Sequence, residues 1–320
     1  MIVFECAEVA VHKTWLALLV LMGIAAPSMD AQTPRELVRR AVETEIVASQ
    51  NDHSHWRYFE DDQQPTKSVR KWVAQARLVS LDRVIERNGQ VLSEAQQKQE
   101  MNAFISDPRA QNKQQKSGQH DDQQAAELLK ILPDAFIWTR TGEHGNEILL
   151  HFRPNPSFHP PDLESRVFAA MEGDMEIDRE QFRIASLKGH LIRDVKIGYG
   201  LLGDLQAGGT FDVERRELNP KVWEIVETHV HIQGHALIFK TISENEDDVK
   251  WDFKQIADTT SLQQAQSELL ALNPDPQKQE ALERAAEQRA AAERAAAEHK
   301  DERRPLHHRP RHSPESVPDR

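Results

Sequence analysis

Three histidines stand close together, His229, His231 and His235, at i, i+2 and i+6. Residues two apart on a strand share a face, so imidazoles at 229 and 231 could grip zinc or copper. A plainer reading competes. Val230 and Ile232 alternate with the pair, which puts both histidines on the watered side of a half-buried strand. The plainer reading takes precedence, and no metal or cofactor is assigned. His307, His308 and His312 lie in a Pro- and Arg-rich end, where a bound ion would have to order a flexible segment. Asp52-His-Ser-His55 carries the residue types of a nucleophilic relay. Relay members come from separate elements, so these residues read as helix-end capping. Gly198, Gly200 and Gly203 spell G-x-G-x-x-G. A dinucleotide fingerprint needs a parallel strand before it and a helix after it, whereas Gly208, Gly209 and a strand follow here. No H-E-x-x-H, G-x-S-x-G or phosphate loop is present, so no catalytic residue is assigned and a non-enzyme is expected. The net charge of −12 lacks the basic footprint of a nucleic-acid partner.

Leu201, Leu202 and Leu205 sit among those loop glycines. Three leucines do not all face water cheaply, since each is worth roughly 1.5–3 kcal/mol when buried. They are the candidate ligand-contacting residues, as a plug in the mouth of a curved sheet or as its rim.

The elements that would position these residues are mostly strands. Residues 168–178 alternate, with Met171, Gly173, Met175 and Ile177 on one face and acids on the other. Residues 182–187 and 191–197 make two further strands, with Lys188-Gly189 as the turn between them. Residues 211–218 and 222–232 follow, then 235–242 across Gln233-Gly234. Consecutive strands with short links predict an antiparallel meander, open or curled toward a barrel. Upstream, Thr33-Pro34 opens a helix as N-cap and first position. Leu37, Val38, Ala41, Val42, Glu45 and Ile46 recur along it at helical spacing. Extended structure begins at Trp56, and residues 79–85 form a strand ending at an Asn88-Gly89 turn. Residues 66–76 fit a short helix as well as a strand. Residues 93–133 read as a helical insert: a helix capped by Ser93, a polar stretch over 107–124 that is either solvated helix or linker, and a short helix ending before Pro133. Strands return at 136–139 and 147–152, and prolines then exclude regular structure to residue 161. Trp251, Phe253 and Ile256 suggest one more strand, and residues 261–272 an amphipathic helix.

The two ends differ from this β-rich domain, which spans 32–273. Residues 15–26 are an uninterrupted apolar run, too short to span a bilayer comfortably, and read as the core of a signal peptide over 1–31. Cleavage after Ala31 is favoured over cleavage after Ser28. Removal would leave no transmembrane anchor, and would take with it Cys6, the only cysteine. A periplasmic or secreted location follows. Residues 274–304 read as a charged Ala/Glu/Arg helix without an apolar seam, and 305–320 as a disordered tail.

Four stretches carry a family resemblance: Phe152-Arg-Pro-Asn-Pro-Ser-Phe158, Gly173-Asp-Met-Glu-Ile-Asp178, Gly200-Leu-Leu-Gly203 with Gly208-Gly209, and His235-Ala-Leu-Ile-Phe-Lys240. Over residues 34–272 the chain resembles a group of uncharacterised exported bacterial proteins. Their strand order and lone N-terminal helix in turn resemble the outer-membrane lipoprotein-sorting carriers (LolA/LolB type). That resemblance implies an α+β fold in which a curved antiparallel meander, a half-open barrel, is covered by N- and C-terminal helices over an apolar cavity. The insert at 93–133 and the charged tail depart from the carriers, and no ligand-contacting residue of theirs is carried over. The expectation is a carrier or chaperone of an apolar ligand, lipid or acyl chain. The alternative is a non-enzymatic envelope scaffold that meets a protein partner through the tail.

Overall fold

The computed structural model describes residues 32–197, 203–233 and 245–276. The charged helix and disordered end expected beyond residue 276, the leader, His235, Leu201 and Leu202 lie outside the described residues. Helix α1 (Pro34–Asn51) is followed by strands β1 (His55–Gln64), β2 (Lys67–Ala76), β3 (Val79–Arg87) and the two-residue β4 (Gln90–Val91). Helices α2 (Glu94–Ile105) and α3 (Pro108–Ala135) come next, then β5 (Phe136–His144), β6 (Glu147–Pro154), α4 (Leu163–Phe168), β7 (Met171–Asp178) and β8 (Ile184–Leu191). A small pair, β9 (Val195–Ile197) and β10 (Gly203–Leu205), precedes β11 (Thr210–Asn219), β12 (Val222–His231), β13 (Asn245–Ile256) and α5 (Leu262–Leu270).

Eleven strands form one open antiparallel sheet in the order β4-β3-β2-β1-β13-β12-β11-β8-β7-β6-β5. The fold is α+β, as expected. The meander is joined at β1 and β13, so the first strand and the last one described are neighbours near the middle of the sheet.

Local signals explain most boundaries. Thr33 accepts from the Glu36 amide while the Glu36 carboxylate takes the Thr33 N–H, a reciprocal cap that fixes the start of α1. Ser93 with Gln96 and Ser261 with Gln264 repeat the device on α2 and α5. Asn88 and Gly89 both have positive φ, +51° and +74°, the geometry of a two-residue hairpin.

Two expectations, the turn at 188–189 and the helix end before Pro133, are corrected, and the alternatives left open at 66–76 and 107–124 are decided. Lys188-Gly189 is not a turn; both residues lie within β8. Gly189 stands across the ladder from Gly173 and Phe211, and an added Cβ would lie 2.6 Å from the Phe211 ring and 3.1 Å from Phe152. Glycine is there because two phenylalanine rings occupy the space above it. Residues 66–76 are strand, not helix: Trp72 and Ala74 face the core at period two. The polar stretch takes the helical alternative and joins the following segment in one helix, Pro108–Ala135, capped by Asp107. Pro133 lies inside its last turn, and the last carbonyls of α3 find donors elsewhere. Leu132 O accepts from the Trp138 indole at 3.1 Å, Pro133 O from Arg35 Nε at 3.2 Å, Asp134 O from the Asn155 amide at 2.8 Å and Ala135 O from the Asn155 backbone at 3.0 Å. The prolines after Phe152 do break the chain, but only from Asn155 onward, since Arg153 and Pro154 still belong to β6.

Register assigns the faces. Leu150, Met175, Leu187 and Val213 stand in line across β6, β7, β8 and β11, on the side of α1. Phe59, Trp72 and Trp251 stand in line across β1, β2 and β13 and pack with α2 and α5. Along β13, Trp251 shares its face with Asp247, which pairs with His229, whereas neighbouring Val230 packs on the α1 side. Helices α1 and α5 therefore cover opposite faces. Helix α3 joins the two sides. It packs on α2 and β3 at its start, on α1 toward its end, and runs directly into β5. On the way it closes the free edge of β3: the Ser80 N–H donates to Gln114 Oε1 at 2.9 Å, and Gln114 Nε2 donates to Ser80 O at 3.2 Å.

Candidate functional site

A cleft of about 670 Å³ opens between α1, α3 and the sheet, within the size range of small-molecule sites. Ile46 of α1 and Leu128, Leu129 and Leu132 of α3 form its helical walls. Leu187 of β8 and Val213 of β11 lie beneath, and Phe168 of α4 closes one side. Their apolar spacing makes them a lining: leucines at 128, 129 and 132 point one flank of a polar helix at the sheet. Ile225 of β12, 42% exposed, also lines the cleft and is one of few large apolar side chains left in water.

One end of the cleft is charged. Glu45 lies on the apolar stripe of α1 and is 5% exposed. Its carboxylate sits 2.6 Å from Arg215 Nη1 and 2.9 Å from Arg183 Nη2, and accepts the Ile184 N–H at 2.7 Å. Burial pushes its pKa up, but the Arg215 charge and the hydrogen bonds from both arginines outweigh burial, holding Glu45 below the usual carboxylate range. Arg215 also donates to the carbonyls of Ile184 and Trp223, and Arg183 to that of Lys221. Arg183 Nε is buried without an acceptor among the described residues. Glu224 lines the same end, and burial followed by the charge of Asp52 raises its pKa. The site thus combines an apolar wall with a fixed polar end.

A second cleft, of about 720 Å³, flanks the other side of α1, where Arg40, Glu43, Gln181 and Lys221 line it together with Val47, Ala48 and Val222.

The residues singled out from sequence fall in different places. Leu205, 4% exposed, is buried in the core with Leu191 and Ile232 and is not among the described lining of either cleft. His229 and His231 lie on the face of β12 opposite Val230, with Asp247 of β13 beside them. In Asp52-His-Ser-His55, Asp52 accepts the Ser54 N–H at 2.8 Å, Ser54 Oγ accepts the Trp56 indole, and both His55 nitrogens face carbonyls. The residues are tied into the turn after α1, as the capping reading expects.

Glu45 stands on the apolar stripe of α1 already in the sequence, and a buried acid there needs a cation. Arg183 and Arg215 carry no local signal; they reach Glu45 from just before β8 and from β11, more than 130 residues away. Comparison with protein-family models, curated proteins and solved structures gives no match.

Proposed function

We propose that this chain is an exported envelope protein that holds an apolar or lipid-like ligand, in the manner of a carrier or chaperone. The observation that carries the reading is the cleft beneath α3, where Ile46, Leu128, Leu129, Leu132, Leu187 and Val213 make an apolar wall beside an ionic cluster, with Gln75 and Asp122 also on the lining. On this reading the open sheet curls into a half-barrel, and α3 crosses its open side. At about 1.5 Å per residue its 28 residues reach roughly 42 Å. The acyl portion lies against Leu128, Leu129 and Val213, and the polar head sits at the arginine end. Export is supported by the apolar run at 15–26. Among the described residues no helix is long and apolar enough to cross a membrane.

The test is native mass spectrometry of protein expressed with its leader, alongside titration with an environment-sensitive apolar dye. Co-purifying lipid and saturable dye binding are expected. Ile225→Glu should weaken the dye about tenfold or more while changing the melting temperature little, because Ile225, 42% exposed, is only part-buried. Repeated absence of both lipid and dye binding overturns the reading.

A further inference from the structure

On the face of the sheet opposite the cleft, His229 and His231 project from β12 and Asp247 from the paired position on β13. Asp247 Oδ1 is 2.6 Å from His229 Nδ1 and 3.0 Å from His231 Nε2, and one donor atom from each residue lies within 4.8 Å of the other two. We propose that these three side chains form a binding site for a divalent transition metal of the zinc class.

The geometry suits such an ion. Ligand bonds of about 2.0–2.2 Å to imidazole nitrogen and carboxylate oxygen put neighbouring donors roughly 3–3.5 Å apart around the ion; the three donors here already lie within 4.8 Å of one another, and an ion would replace the hydrogen bonds that both rings now make to Asp247 Oδ1. The backbone does the convergence. Two histidines at i and i+2 share a strand face, and the ladder places the aspartate directly across from the first of them. All three side chains are part-exposed, at 32%, 48% and 42%, so an ion reaches them from solvent and water completes its shell. Further carboxylates surround the group. Glu227 Oε2 is 3.5 Å from His229 Nε2, the ring nitrogen left over when Nδ1 binds, and such an acceptor orients a ligating imidazole. Asp212 stands across from His229 on β11, and its Oδ1 is buried without a hydrogen-bond donor. Imidazole ligands favour zinc, copper, nickel or cobalt over calcium and magnesium, which take oxygen. Three protein ligands and an open position match an exchangeable ion rather than a closed structural site.

The experiment is calorimetric titration of Zn²⁺ into tag-free full-length protein in which His307, His308 and His312 are all changed to Gln, so that the tail contributes no imidazole. One ion per chain is expected. Asp247→Asn, nearly isosteric, should weaken binding at least tenfold, and a His229→Asn/His231→Asn pair should abolish it, with unchanged circular dichroism in both. Glu227→Gln should lower affinity about tenfold if it orients His229. Substituting Co²⁺ should give visible absorption bands in the parent and none in the double variant. Absence of binding by the parent, or affinity unchanged in the double variant, overturns the assignment.

Discussion

Glu45 illustrates how a single residue ties the helix layer to the sheet. It sits where a hydrophobic residue would pack, and two arginines and a backbone amide compensate the charge. Breaking such a buried arrangement from one side costs about 3–5 kcal/mol, because the remaining charges stay buried without a counterion. Glu45→Ala should therefore lower unfolding free energy by that amount, measured by urea titration at neutral pH. Because the folded carboxyl titrates below its unfolded value, its stabilisation is complete above the ordinary glutamate range. It disappears as pH falls through the depressed value. Unfolding titrations from pH 7 to pH 3 should show wild-type stability falling with acid, and Glu45→Gln should flatten that fall. A variant with the wild-type acid slope would remove Glu45 from this role.

Among the elements, α3 departs furthest from what its sequence announces. Its first half has no large apolar residue, which leaves helix and linker equally open to a reader of the chain. What decides between them is nonlocal: Gln114 completes the hydrogen bonding of Ser80, and Gln111 Nε2 donates to the carbonyls of Phe104 and Ile105. Glutamines act here as backbone surrogates, and glutamine content alone does not reveal that. Gln114→Ala should cost about 1 kcal/mol and leave the β3 edge bare, raising aggregation on heating, read by light scattering. The strands were more legible, because Met171, Met175 and Ile177 announce a face by alternation. Gly189 misled for a definable reason. A glycine after lysine has the composition of a turn, and only the Phe152 and Phe211 rings, brought in from other strands, show it to be a close approach. Of the candidate site, only Glu45 stood out in sequence, as an acid on the α1 stripe, whereas Arg183 and Arg215 became meaningful only through the tertiary contacts that bring them to it. The six-residue α4 gave too short a pattern to find.

At the scale of the whole molecule, β13 pairs with β1 on one side and β12 on the other, so removing it bares two interior edges at once. A chain truncated after residue 244 should be insoluble or aggregate on purification, whereas truncation after residue 276 should leave a soluble domain with the parent's dye affinity. Size-exclusion chromatography of the two distinguishes the cases, and a monomeric, folded 1–244 product would contradict the pairing. The same seam has a consequence in time. β1 is complete at Gln64, yet its central partner begins at Asn245. At about 5–20 residues per second, tens of seconds of synthesis separate them. Throughout that interval the nascent sheet has an unfilled slot at its centre. The ribosome finishes the keystone late, and until it emerges β1 and β12 have no strand between them to join the two halves of the sheet.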